Sequence, residues 1–552
     1  MAPSRVDASD ARIGWAAYAV LGLAHLAVIW RQDYLASLDG PVHVYVAAVL
    51  AAWQEPAAAT LRQYFELNPG PHPNLLIYGL LYGLMQAVPP AAAEKLLVSG
   101  YVLALPLAVR YAAGALTPTP WLAVLLAWPL ALALPLMLGF YNYAYGLLVV
   151  CVGFGLYLRA AAAPGTGRFL ALGLLGLAAF FTHIFAALAL LAMVGAAALW
   201  HAAVAVRRGD NMLQAGKQRL LPPAVVLLAT ALLVLHFAAT NTTPPSPLLD
   251  DDSLVYRLLL LSFSGFLWSL SSTDAYWGAG LLALLMLGLY HHLRVRRERA
   301  EPGDHAPLAV ALALTLLFLA VPAAAGGGGW MLHRLQPYLY LAFALWLGSR
   351  AMRSRFRQAL SVALLLFTLG ICLWRLPQLD QVARFREAYL KLLDGIEAED
   401  TVMALIVGPM LAPDGTPAPD WRNHPLHHLM AYPAAARRAT VIGLYQLHTD
   451  VFPIRYRPGM DPFDFRVPPR PGGNPALHRL TDLGLYNELP GRRVDWVLLL
   501  GRLEASEVHA IDNLKACLAM EYRQVETVAQ PGPFRLYRLQ PASEIKCAPG
   551  QR

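Results

Sequence analysis

Charge is scarce in this sequence. Only 14% of its 552 residues are Asp, Glu, Lys or Arg, against about 25% in soluble globular chains. Lysine is scarcer still. Five residues (Lys95, Lys217, Lys391, Lys515 and Lys546) leave 38 of the 43 basic side chains to arginine. With abundant Ala, Gly and Pro, that bias points to a GC-rich bacterial genome. Four cysteines are too few for a disulfide scaffold. No internal repeat is visible, which excludes solenoids, propellers and collagen.

Apolar residues fill the space. They make up 57% of the chain, and the mean hydropathy is +0.46. Single hydrophobic cores stop growing at roughly 250–300 residues, so the surplus must face lipid. A soluble enzyme and a disordered chain are both excluded. The net charge of +8 and pI near 9.3 would suit a nucleic-acid binder. The arginines, however, sit in short loops between apolar runs, where the positive-inside rule accounts for them. The expected partners therefore include membrane lipids and no nucleic acid.

Eleven apolar runs read as spans, near 13–30, 91–113, 119–138, 141–158, 168–182, 184–205, 219–237, 276–293, 306–324, 335–349 and 359–375. Arg5 and Arg12 precede the first run and no small-residue cleavage site follows it, as in an uncleaved anchor. Placing the segments Arg159–Arg168, Arg207–Arg219, Arg294–Arg299 and Arg350–Arg357 in the cytoplasm gives an inside N-terminus and an outside C-terminus. The run 74–88 is short and ends at Pro89-Pro90, so it reads as re-entrant or packed against the bundle.

This topology gathers the irregular segments on one outer face. They are the first outer loop 31–73, the Gly139–Tyr145 break, the Thr182–His183 kink, the loop 239–275 and the glycine run before Arg334. From Leu379 the composition becomes that of a soluble domain. Strand-like runs at 401–407, 439–444, 495–500, 523–528 and 534–539 alternate with helical stretches at 380–398, 421–436, 476–488 and 504–520. The Pro-rich stretch 455–475 reads as a surface loop. The expected fold is thus an α-helical polytopic membrane bundle over 1–378, followed by an extracytoplasmic α/β domain over 379–552. Cys151 and Cys372 read as packing residues, and a Cys517–Cys547 disulfide stays open.

Few polar residues remain to carry chemistry. Asp39 follows the first span, Pro41 opens a short helix behind it, and His43 lies four residues on. Asp39 is either that helix's N-cap or a general base. The stretches Val42–Gln54 and Ala57–Phe65 read as amphipathic helices lying along the interface. The rigid turn Asn68–Asn74 aims His72 at the same surface. Asn142 and Tyr143 interrupt two apolar runs, as part of an aromatic belt or of a site. His183 lies mid-run, either bonded to a neighbouring helix or functional. His333 and Arg334 open a late span, and Arg334 either snorkels or grips a phosphate with its fork. The acidic turn Asp250–Asp252 reads as solvated, and His424–His428 as a cluster at a helix start. No metal or other cofactor is indicated.

The layout resembles the GT-C superfamily of integral-membrane glycosyltransferases, in its uncharacterised bacterial branch. The carrying features are the first outer loop with Asp39 and His43, the Gly139–Gly146 cluster, the Thr182–His183 kink, Arg334 entering a late span and the C-terminal α/β domain. The resemblance implies a multi-pass protein of the bacterial inner membrane. It implies transfer of a sugar from a polyprenyl-phosphate-linked donor to an extracytoplasmic acceptor (glycan, lipid or protein). Asp39 would be the base, with His43 beside it, and Arg334 a cation for the donor phosphate. His72, Asn142, Tyr143, His183 and His333 would complete the substrate site. The first loop shows no acidic pair or Asp-x-Asp at Asp39, which several relatives carry, and this argues against a metal-dependent mechanism. Two alternatives stay open: a degenerate GT-C fold serving as an assembly partner in envelope biogenesis, and a transporter.

Overall fold

The structure is a computed structural model. It describes residues 5–241, 253–298, 304–324, 329–406, 421–449, 451–465, 481–488, 491–500, 509–525 and 534–540. The turn Asp250–Asp252, most of the glycine run and Cys547 lie outside the described residues, and with Cys547 the question of a disulfide to Cys517. Two compact units emerge. The first comprises Met1–Asp33, Pro71–Ile77 and Lys95–Gln378; the second comprises Tyr34–Gly70, Tyr78–Glu94 and Leu379–Arg552. Most of the loop 31–73 therefore groups with the C-terminal residues.

Seven described helices are long and apolar enough to cross a membrane: Ala11–Trp30, Pro90–Ala113, Tyr141–Ala162, Ile184–Arg207, Leu221–Thr240, Ser272–Val295 and Ser354–Leu392. At 1.5 Å per residue, about 20 residues cover the ~30 Å hydrocarbon layer. Their outward leucines, such as Leu232, Leu235 and Leu366, are more than half exposed. A water-soluble protein would bury them. The chain is a helical membrane protein.

Several expected spans take another form. The run 119–138 breaks into Trp121–Ala127, a 3-10 turn Trp128–Leu130 and a short helix Leu134–Met137. Pro129 and Pro135 cause the break, because each lacks a backbone donor and clashes with the preceding turn. The helix Leu76–Met85 has ten residues, about 15 Å, too short to cross alone. The last span and the helix expected at 380–398 are one 39-residue helix, Ser354–Leu392, which carries Pro377 inside it.

Within the first unit, small residues let helices approach closely. A Cβ on Gly146 would lie 2.6 Å from the Ala186 Cβ, and one on Gly155 2.6 Å from the Ala112 Cα. One buried carboxylate fixes the turn ahead of a span. Asp274, 2% exposed, accepts from the Leu270 and Ser269 amides at 2.9 and 3.1 Å and from Trp374 Nε1 at 3.1 Å. Arg375 donates to Ser269 Oγ at 2.9 Å and completes that network.

The second unit is built on sheets. Strands β1 (Phe65–Leu67), β2 (Thr401–Ile406), β3 (Thr440–Ile442), β4 (Ile454–Tyr456), β5 (Trp496–Leu500), β6 (Tyr522–Gln524) and β7 (Phe534–Leu539) form two of them. One has the order β3-β2-β5-β7-β6, with β2 parallel to both β3 and β5, and β7 antiparallel to β5 and β6. β5 reads Trp-Val-Leu-Leu-Leu and is buried throughout, as expected of a central strand covered on both faces. The other sheet pairs β1 antiparallel to β4. That pairing ties the loop 31–73 to a segment almost 400 residues later.

The helix Gly40–Ala52 corrects an expectation. Ten of its thirteen residues are buried, so it is a core helix of this unit and does not lie along a membrane surface. Its sequence is apolar on all sides, and such a helix is stable only when covered all round. Tyr45 marks the covering: its hydroxyl donates to Ala439 O at 3.1 Å and accepts from Val441 N at 2.9 Å. The segment 421–430 is likewise no helix. It runs as turns, with His424 at φ 41°, until the helix Ala431–Arg437 begins.

Candidate functional site

Asp39 occupies the N-cap position of the helix Gly40–Ala52, yet its side chain makes no capping hydrogen bond. Pro41, at the start of the helix, has no amide hydrogen to offer. The carboxylate instead accepts a 2.8 Å hydrogen bond from Gln446 Nε2. His428 Nε2 stands 3.7 Å from the same oxygen, and the Asp39 side chain is 16% exposed. An ionised carboxylate can only accept, so the Gln446 amide must turn its NH2 group toward it. The Gln446 carbonyl then points away. That Oε1 is buried and finds no hydrogen-bond partner among the described residues. An orphaned buried acceptor costs about 1–3 kcal/mol, a cost that a donor group on a bound ligand would remove.

His43 follows one helical turn after Asp39. Its backbone amide donates to Asp39 O at 3.0 Å, the first bond of the helix. The ring is 5% exposed, and Nδ1 lies 2.7 Å from the Tyr78 hydroxyl. Phe452 packs against both rings. The second unit thus brings together Asp39, His43, Tyr78, His428 and Gln446. Sequence reasoning had found only the first two. His428 carried a weak signal in its histidine-rich segment; Gln446 carried none.

Burial lowers the His428 imidazole to about 4, so the ring is neutral at pH 7 and adds no charge beside Asp39. The consequence for stability has a definite sign. The unfolded chain binds a proton at His428 near pH 6.5 and the folded chain only near 4. Stability is therefore full above about 6.5 and falls as the pH drops toward 4, by up to ~3 kcal/mol. Urea midpoints measured between pH 7 and pH 4 should decline for the wild type and decline less for His428→Gln. Parallel declines would show that other groups dominate.

The remaining candidates belong to the first unit. Asn142 and Tyr143 lie in the first turn of the helix Tyr141–Ala162, just past Gly139 at φ +80°. Asn142 Oδ1 accepts from Ile77 N at 3.3 Å. The Tyr143 hydroxyl donates to Arg334 O at 2.6 Å, and its ring meets His183 and Tyr338 edge-on at 5.7 and 5.6 Å. His183 is the extended residue between two helices and caps the second, with Nδ1 accepting from Phe185 N at 3.0 Å. Its neutral ring therefore carries the proton on Nε2.

Arg334 sits in the first turn of Met331–Gly348, its guanidinium 4.3 Å from the Phe140 ring centre. Tyr143, His183 and Arg334 thus form one cluster. His333 is fully buried and turns toward Trp330 and Tyr256. His72 is half-buried in the turn ahead of Leu76–Met85. A crevice beside this cluster, lined by Tyr101, Tyr143 and Pro337 among others, has room for the centre of about one water, ≈ 10 Å³. In this conformation it is too small for a sugar.

No protein-family profile matches the chain, and no curated protein matches its sequence.

Proposed function

We propose that this protein is a membrane glycosyltransferase of the GT-C type, which moves a sugar from a polyprenyl-phosphate-linked donor to an acceptor hydroxyl outside the cytoplasm. The observation that carries this reading is the state of Asp39. Its carboxylate is not spent on capping its own helix; it is gripped by Gln446 and flanked by a neutral His428. A carboxylate fixed in this way, with a buried acceptor atom beside it, is suited to receive a hydroxyl group and take its proton.

In the proposed reaction the acceptor hydroxyl donates to Asp39. Its oxygen attacks the anomeric carbon, and the bond to the polyprenyl phosphate breaks with inversion. The proton ends on Asp39 and the electron pair on the departing phosphate. Gln446 is a positioning residue, and its Oε1 accepts from a second donor on the acceptor molecule. The reading includes eleven crossings, with the C-terminal residues outside the inner membrane.

The test supplies purified protein in nanodiscs with a panel of polyprenyl-phosphate sugars and simple glycan or lipid acceptors. Donor consumption is read by mass spectrometry. Consumption of one donor, lost in Asp39→Asn, is the expected result; a panel left intact would sink the proposal. Orientation has its own measurement. A reporter active only outside the cytoplasm, fused after Arg552, should give signal, whereas a cytoplasmic signal would invert the topology.

A further inference from the structure

A second cluster in the same unit has no role in the reaction above. His448 ends the short helix Tyr445–His448, Asp461 directly precedes the turn Pro462–Phe465, and Asp464 lies within that turn. One ligand atom from each lies within 4.8 Å of the others. His448 Nδ1 and Asp461 Oδ2 are 2.5 Å apart, with the two side chains 27% and 15% exposed; Asp464 is open to solvent.

The chemistry of the three groups is unusual for a solvated acidic turn. Two carboxylates converge on an imidazole, and among the described residues no Lys or Arg forms an ion pair with either acid. Both strands of the cluster are held independently of it. Leu447 is buried beside His448. Tyr486 donates to Met460 O at 2.9 Å, Thr481 to Pro462 O at 3.3 Å, and the Asp482 amide to Phe465 O at 2.7 Å. The Phe463 amide donates to Asp461 Oδ1 at 2.9 Å and so leaves Oδ2 facing His448.

We propose that His448, Asp461 and Asp464 bind a divalent transition metal, Zn²⁺ in preference to Mg²⁺ or Ca²⁺. One imidazole and two carboxylates match zinc's mixed preference for nitrogen and oxygen, whereas Mg²⁺ and Ca²⁺ favour oxygen alone. Bonds of about 2.0–2.2 Å would set the ligand atoms roughly 3.4 Å apart. Reaching that spacing means opening the 2.5 Å contact between His448 and Asp461 and turning the exposed Asp464 side chain toward them. The metal takes the place of the hydrogen bond between His448 and Asp461, with the imidazole binding through Nδ1 and keeping its proton on Nε2. Solvent fills the fourth position, so the ion cross-links the helix Tyr445–His448 to the turn Pro462–Phe465.

Because Gln446 belongs to that helix, the ion would steady the residue that holds Asp39. Binding itself does not depend on the glycosyl-transfer reading, and its test uses no sugar. Untagged full-length protein, stripped with chelator in nanodiscs, is titrated with Zn²⁺ by calorimetry and its metal content measured after dialysis. The wild type should retain one zinc more per chain than His448→Ala. Asp464→Asn, at an exposed position that leaves the fold intact, should bind at least tenfold more weakly. Mg²⁺ at the same concentration should not compete. Equal zinc content in the wild type and both variants would overturn the proposal, as would displacement of zinc by equimolar Mg²⁺.

Discussion

Replacing Asp39 by Asn should lower the rate of donor consumption by 10²- to 10⁴-fold while the protein stays folded. The range is what a positioned general base typically contributes. Asn keeps the size of the side chain and keeps an oxygen that accepts from Gln446, so the 2.8 Å contact survives. It loses only the capacity to take a proton. Asp39→Glu tests position: one added methylene shifts the carboxylate by more than 1 Å, enough to cost about 100-fold. A loss in kcat with little change in KM would place Asp39 in the chemical step. Equal rates for wild type and Asp39→Asn on a consumed donor would end its assignment as base. The glycosyltransferase reading would then need another proton acceptor.

The second large effect concerns assembly of the bundle. Gly278 lies in the helix Ala275–Glu298, where the Phe263 carbonyl crowds its Cα. An added Cβ would meet that oxygen at 1.5 Å and the carbonyl carbon at 2.6 Å. Backbone cannot swing aside as a side chain would, and this carbonyl is also committed, accepting from Trp268 Nε1 at 3.0 Å. Gly278→Ala should therefore cost about 3 kcal/mol or more, at or above the upper end of what core overpacking costs. The measurable result is loss of monodisperse protein after detergent extraction. Gly195→Ala is the control, because nothing lies within 4 Å of a Cβ at that position in Ile184–Arg207. It should be neutral or slightly stabilising, since Ala is the better helix former. Equal yields for the two variants would mean that the helix and the Phe263 turn do not meet as described.

Membrane character, most helix positions and the breaks at Gly139 and His183 were legible in the sequence. Each rests on a local quantity: apolar length, a glycine free to adopt φ +80°, an interruption in a run of leucines. Asp39 could be singled out for the same reason, as the acid shortly after the first span that stands directly ahead of a proline-led helix. Its role could not be read locally. Whether a carboxylate caps a helix or waits for a proton depends on what else reaches it, and Gln446 is 407 residues away. The misreading of Val42–Gln54 has a related cause. Its apolar residues fit an interfacial helix until β1 pairs with β4 and the Tyr45 hydroxyl bonds to Ala439 and Val441, after which the helix is enclosed.

The metal cluster lay out of reach altogether, because His448 and the two aspartates are thirteen and sixteen residues apart, with no repeating spacing to give them away. By itself the sequence determined the solvent this protein lives in and where most of its helices lie, because lipid and backbone geometry act residue by residue. Tertiary structure alone decided which polar groups share a partner. In a chain this poor in charge, each of those few groups takes its chemistry from contacts that the linear order does not encode.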